Sequence, residues 1–193
     1  SLAVSWLSTQ SIESFLREKM DGNFPGLLNA TSQRIELYYA QRQLDVETFA
    51  RSTVVTTSSA RLSSPAAEAS RTELQAYLSY VLEHFPQYEA LFLLDPNGRS
   101  RLWVGAEVEF PAQRLVQAAR VTEPRVDEIE WIGGRRVQLA SVPVLDARER
   151  RVASLHALVE IGGVESLLQV EAAAKNLEIS IVGRDGATLV TAP

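Results

Sequence analysis

The chain has 193 residues, 46% of them hydrophobic and 22% charged, an ordinary globular balance that allows one sizeable core or two small ones and excludes a disordered segment. The 19 basic residues against 24 acidic ones give a formal charge of −5 with no basic stripe, so no nucleic acid is expected as a partner. No run of 18 apolar residues is present, so no membrane-spanning helix is expected, and without cysteine there is neither a disulfide nor a thiolate metal site, which leaves the compartment open.

Residues 11–20 carry a helical pattern, interrupted by Asp21-Gly22-Asn23 and Phe24-Pro25-Gly26, because glycine and proline are poor in helix interiors while proline suits a first turn. Beyond the interruption Leu28, Ile35, Tyr38, Tyr39, Val46, Phe49 and Thr53 recur close to the i, i+3, i+4, i+7 template, which predicts a long amphipathic helix over 24–55. A Ser/Thr-rich stretch over 56–64 follows. Ser64 and Pro65 then read as the cap and first position of another helix, whose inner face is Leu74, Tyr77, Leu78, Val81, Leu82 and Phe85 and which Pro86 stops.

The stretch 88–104 reads as two strands around Asp95-Pro96-Asn97-Gly98, where proline sets φ at one turn position and glycine accepts a positive φ at another. A helix is predicted over 111–121. Strands over 125–132, 135–145 and 151–161, joined by Gly133-Gly134 and a charged turn at 146–150, make an antiparallel meander. Gly162-Gly163 lead into a short helix over 164–175, and a last hairpin turns at Gly186. Aligning Gly98 with Gly186, 88 positions on, sets Leu91, Leu93 and Leu94 against Ile179, Ile181 and Val182, and Leu102 against Val190, as an internal repeat would.

The interrupted N-terminal helix, the helix ending His84-Phe85-Pro86-Gln87-Tyr88, the strand Leu91-Phe92-Leu93-Leu94-Asp95 with its Asn97-Gly98 turn and the late meander together resemble the extracytoplasmic Cache domains, PAS-like sensor modules of bacterial transmembrane receptors. The resemblance implies an α+β fold: a long N-terminal helix packed on a PAS-like antiparallel five-stranded sheet, with a C-terminal hairpin opening a second, incomplete module. It divides the chain into an N-terminal helical segment (1–65), a distal module (66–161), a connecting helix (162–176) and the start of a membrane-proximal module (177–193). It implies a periplasmic ligand-sensing domain of a membrane-anchored histidine kinase, diguanylate cyclase or chemoreceptor, with a small, anionic metabolite as ligand and a homodimer formed through the N-terminal helix. A chain that starts without methionine fits an excised piece of such a receptor. The alternative is a ligand-free dimerisation or protein-interaction module.

Amino-acid-binding members of that family place an arginine just ahead of two aromatics, with an acidic residue later. Here Gln113-Arg114-Leu115-Val116-Gln117 keeps the arginine and lacks both aromatics, so amino-acid sensing is not expected and Arg114 stands as a candidate anion anchor or as a solvated helix arginine. No nucleophile elbow, phosphate loop, dinucleotide fingerprint or paired-histidine motif occurs, and the two histidines, His84 and His156, lie far apart, so neither catalytic residues, a metal nor another cofactor is expected. Strand alternation sets Arg136, Gln138 and Ala140 on one face of their strand and Ser154, His156 and Leu158 on one face of the next, the latter a place where a pocket could lie. Trp103 and Trp131 complete the candidate ligand-binding set with Arg114, Arg136, Gln138 and His156. For both tryptophans and for His156 an ordinary core role is the competing reading.

Overall fold

The computed structural model describes residues 2–7, 11–16, 24–62, 64–175, 179–183 and 186–192. In chain order the elements are β1 (Leu2–Leu7), β2 (Ser11–Leu16), α1 (Phe24–Ala50), α2 (Thr53–Arg61), α3 (Ala67–His84), β3 (Tyr88–Leu94), β4 (Ser100–Gly105), α4 (Ala112–Ala119), β5 (Arg125–Val126), β6 (Glu130–Ile132), β7 (Arg135–Val137), β8 (Leu139–Leu145), β9 (Arg151–Val159), α5 (Ile161–Lys175), β10 (Ile179–Val182) and β11 (Thr188–Ala192). They fall into two compact units, one of residues 42–127 and 131–160, the other of residues 1–41, 128–130 and 161–193.

The larger unit is built on an antiparallel sheet of five strands in the order β4-β3-β9-β8-β5. β3 is apolar at nearly every position because both of its faces are covered. Leu91 and Leu93 join Leu155, Ala157 and Val142 in a core with Val46, Phe49, Leu74, Leu78 and Val81 of the helices. Ala90, Phe92 and Leu94 look the other way, into a second core with Leu139, Leu158 and the Ala118 and Ala119 pair of α4. The expected inner face of α3 is the one that packs: Leu74, Leu78 and Val81 are buried, with Tyr77, Leu82 and Phe85 partly so.

Three details differ from expectation. The long helix stops at Ala50, because Ser52 takes an extended conformation and its hydroxyl accepts the N–H of Val55, capping α2. The Ser/Thr-rich stretch is therefore helical as far as Arg61, with Thr56 donating to the Ser52 carbonyl and the buried Ser58 donating to Glu73 at 2.6 Å. Ser64 does not cap α3, whose cap position is Ala66; its hydroxyl instead donates to the Arg61 carbonyl and accepts the N–H of Ala66, closing the turn around Pro65. The expected three-stranded meander is split. Residues 130–132 and 135–137 form a separate ribbon, β6–β7, around Gly133-Gly134, while Gln138 interrupts the third strand and gives its carbonyl to the N–H of Val159.

Three hairpin turns share one set of bonds. In β3–β4 the N–H of Asp95 donates to the Arg99 carbonyl and that of Gly98 to the Asp95 carbonyl; Asp146, Arg150 and Glu149 repeat the pattern in β8–β9, and Gly183, Ala187 and Gly186 in β10–β11. Each pairing also shifts register just before the turn, at Leu93/Leu94, Val144/Leu145 and Ile181/Val182. The cross-strand pair Leu93↔Leu102 has its counterpart in Ile181↔Val190, in the register that aligning the two glycines predicts.

In the smaller unit β11, β10, β1 and β2 form one sheet, in which β1 pairs parallel to β10 and the other neighbours are antiparallel. Ser11–Leu16 is thus a strand and not the start of a helix. A short helix is marginal by itself, and pairing with all six residues of β1 outweighs the local pattern. The rest of that expected helix and the Asp21-Gly22-Asn23 break lie outside the described residues; Phe24 opens α1 with Pro25 in its first turn. α5 begins at Ile161, so the two glycines sit inside it, where a Cβ on Gly163 would stand 2.5 Å from the Tyr38 hydroxyl. The buried Glu171 of α5 pairs with Arg34 of α1.

Candidate functional site

The face of the five-stranded sheet turned away from α1, α2 and α3 carries polar side chains among apolar ones. His156 lies at its middle, between Phe92 on β3 and Ser141 on β8 in the strand register. Its Nδ1 is 2.8 Å from the Ser141 hydroxyl and its Nε2 2.7 Å from the Ser154 hydroxyl, so both ring nitrogens are satisfied although the residue is fully buried. Burial, reinforced by the positive charges of Arg114 and Arg125, lowers its pKa to about 3. The imidazole is therefore neutral at physiological pH.

Aromatic rings extend from His156 toward the sheet edge. Phe92 stacks on the imidazole at 5.1 Å between centroids and on Trp103 of β4 at 4.1 Å, with Phe110 at 5.9 Å from Phe92 and 6.1 Å from Trp103. Trp103 donates its indole N–H to the Ala106 carbonyl and is only partly buried, as is Phe110. Trp103 and Phe110 thus keep some exposure, while Phe92 between Trp103 and His156 is fully buried.

An ion-paired group borders the same face. Arg114, on α4, donates to Asp127 Oδ2 at 2.8 Å, and Arg125 Nε approaches Asp127 Oδ1 at 2.9 Å. The Arg114 and Asp127 side chains are 16% and 17% exposed, shielded enough for the pairing to hold geometry and open enough for exchange with solvent. The Asp127 backbone is fixed as well: its N–H donates to the Leu139 carbonyl at 2.7 Å, and its carbonyl accepts Gln138 Nε2 at 3.0 Å. Gln138 Oε1 is buried without a hydrogen-bond partner.

Four of the six residues nominated from sequence belong to this connected set: Trp103 and His156 through the Phe92 stack, and Arg114 and Gln138 through Asp127. The other two lie elsewhere. Trp131, on β6, is 58% exposed, and Arg136 alternates with Val137 on β7, where it is Val137 that joins the core on the His156 face. Phe92, Phe110, Arg125, Asp127 and Ser141 were not nominated. Ser141 had a signal, a hydroxyl in the apolar strand Leu139–Leu145 opposite a histidine strand, but the Arg114–Asp127 contact joins a helix to a two-residue edge strand and has no local signature. Among the described residues no three His, Asp or Glu stand close enough to hold a metal ion, and no helix is long and apolar enough to cross a membrane.

No family model and no curated protein matches the chain. Solved structures do. The sensory domain of the Campylobacter jejuni chemoreceptor Tlp3 superposes with a TM-score of 0.64 at 12% identity, over 86% of this chain and 69% of that one. The ligand-binding domain of the Pseudomonas fluorescens chemoreceptor CtaA, in complex with L-isoleucine, gives 0.55 at 17% identity over 84% of this chain and 64% of that one. The sensor domain of the V. cholerae histidine kinase DctB gives 0.55 at 14% identity, over 76% and 58%. The chain spans less than two thirds of the length of the CtaA and DctB domains. What is shared at these identities is the fold, and the chain has the PAS-like, Cache-type fold of receptor sensor domains.

Proposed function

We propose that the chain is the extracytoplasmic, ligand-sensing part of a membrane-anchored signalling receptor such as a histidine kinase, a diguanylate cyclase or a chemoreceptor, and that it binds a small carboxylate-bearing metabolite. The observation that carries this reading is Arg114, a shielded guanidinium on α4, whose neighbour Leu115 packs in the same core as the partly buried Trp103 and Phe110 on the sheet face away from the main helices. In this reading Arg114 takes the carboxylate in the two-pronged geometry its planar fork favours, and Trp103 and Phe110 cover the apolar part of the ligand. The buried Gln138, whose Oε1 has no hydrogen-bond partner, supplies a polar group, while the neutral His156, both nitrogens already bonded, supports the ring of Phe92. Trp131 and Arg136 are assigned no ligand contact. L-isoleucine in the CtaA domain is itself a carboxylate with an apolar side chain, which supports the ligand class without defining it here.

Binding acts on signalling only through a difference in affinity between two packings. The sheet bears on the end of α1 through Val46, Phe49 and Ala50, so a ligand that alters the sheet favours one seating of that helix over another. The helix passes the change on. The hairpin β10–β11, which repeats the two backbone turn bonds of β3–β4, is read as the opening of a second module.

A thermal-shift screen of apolar and dicarboxylic acids and amino acids tests the reading. A binder present at a hundred times its Kd adds about 2.7 kcal/mol and raises Tm by a few degrees. Arg114→Ala is expected to abolish that rise, and a screen in which no acid raises Tm would overturn the proposal.

A second reading has its own observation. Leu37 and Leu44 of α1, seven residues apart, are 71% and 56% exposed, and Ala30 and Ala40 are also exposed. This is the spacing of a helix–helix seam, and we read it as the contact of a homodimer.

A further inference from the structure

We infer that Asp127 is a built-in occupant of the anion site, an internal carboxylate that a ligand carboxylate must displace from Arg114. The inference rests on the sensing role proposed above and adds how the site is kept closed in its absence. Asp127 makes the bond an acid ligand would make, a carboxylate oxygen 2.8 Å from a guanidinium nitrogen of Arg114. Its other oxygen is engaged by Arg125 at 2.9 Å, so the carboxylate is held from both sides and is not a loose surface group.

The backbone supports the same role. Both polar backbone groups of Asp127 bond to the β7–β8 junction, the N–H to Leu139 and the carbonyl to Gln138, so the side chain is delivered to Arg114 from a fixed position. α4, which carries Arg114, has only eight residues and packs on the sheet through Leu115, Ala118 and Ala119. The Arg114–Asp127 pair adds a tie between the first turn of α4 and the residue that follows the short edge strand β5. Exchange of Asp127 for an external carboxylate releases that tie while leaving the Arg114 charge compensated. Selectivity follows: the displaced Asp127 keeps its pairing with Arg125, so its charge stays compensated and it is a poor partner for a ligand ammonium, and the site takes an acid in preference to the corresponding α-amino acid.

The test is calorimetric titration of 4-methylpentanoate and of L-leucine, which differ only in the ammonium group, into the wild-type chain, Asp127→Asn and Arg125→Gln, with folding checked by circular dichroism. If Asp127 holds the site in nine of ten molecules, removing its charge tightens 4-methylpentanoate by roughly tenfold. Arg125→Gln, which keeps Asp127 but loosens its seat, gives a smaller tightening and carries the test if Asp127→Asn fails to fold. Unchanged or weaker binding of 4-methylpentanoate to the variants, or loss of L-leucine binding in Asp127→Asn, overturns the inference while leaving the sensing role intact. Absence of binding to all three proteins overturns the inference, and a blank screen of other acids as well would mark the failure of the sensing role itself.

Discussion

His156 gains its character from its neighbours. A histidine in the middle strand of a sheet is tolerable only when both ring nitrogens are answered, and Ser141 from the adjacent strand and Ser154 from its own supply one bond each. With its pKa lowered from 6.5 to about 3 by burial and by Arg114 and Arg125, the folded protein declines a proton that the unfolded chain accepts throughout that interval. Stability from this residue is complete above pH 6.5 and is lost as pH falls toward 3. By pH 4.5 the loss is about 3 kcal/mol for a fully buried ring. Urea midpoints at pH 7.5 and 4.5 check it: the wild type loses stability over that range and His156→Gln, which cannot titrate, shows a flatter profile; equal slopes would refute the assignment. Alternation along β9 was enough to place His156, Ser154 and Leu158 on one face. The ring's partner on β8 depended on strand register, which no single strand encodes.

Among the elements, the hairpin turn is the unit the chain reuses. Asp95 anchors the first copy: burial works against its charge, but the N–H groups of Arg99 and Asn97 and the Arg101 guanidinium hold its pKa below the usual value. Asp146 anchors the second, where the N–H and guanidinium of Arg150 bring its pKa to about 2. The left-handed position is Gly98 at φ 81°, Glu149 at φ 58° and Gly186 at φ 80° in the three copies. Two copies were legible from their glycines, and the third went unnoticed as a copy because a glutamate fills that position. Context separates the two glycines. A Cβ on Gly98 would stand 2.7 Å from the Val116 backbone of α4, whereas one on Gly186 meets nothing within 4 Å. Gly186→Ala is expected to cost about 1 kcal/mol from backbone strain alone, and Gly98→Ala about 3 kcal/mol because α4 must also move. Denaturation curves of both variants decide this, and equal losses would contradict the packing argument. The splitting of the expected meander likewise depends on bonds between segments: Val159 donates to the Gln138 carbonyl, Asp127 donates to the Leu139 carbonyl, and the Gln138 side chain donates to the Asp127 carbonyl.

At the scale of the whole molecule, the helices, the strands and the packing face of α3 could be read from periodicity and turn residues, because those signals are local, whereas the joining of five strands into one PAS-like sheet was implied by the resemblance to Cache domains. The pairing of β1 with β10 could not be read in either way, since it joins segments from opposite ends of the chain. The seam on α1 was legible only in part: the buried side of the helix followed the pattern, while the exposure of Leu37 and Leu44 required knowing what the rest of the fold leaves uncovered. Replacing both with glutamate is expected to convert a dimer into a monomer by light scattering while leaving Tm of the dilute protein within about 1 °C, since neither side chain is buried in the single chain. An unchanged mass for the double variant, or a wild type that stays monomeric at high concentration, would remove the dimer reading.

The parallel pairing of β1 with β10 also sets an order of assembly. Once residue 160 has left the ribosome, every strand of the five-stranded sheet is available and the larger unit can close. The four-stranded sheet has no such option, because β10 lies inside it beside β1 and follows the larger unit in the sequence. Until then the hairpin β1–β2 has the β1 edge unpaired as well as that of β2, the kind of edge that recruits other strands. The hairpin β1–β2 thus waits for a partner encoded beyond the whole larger unit, and that delay exposes it to misassembly.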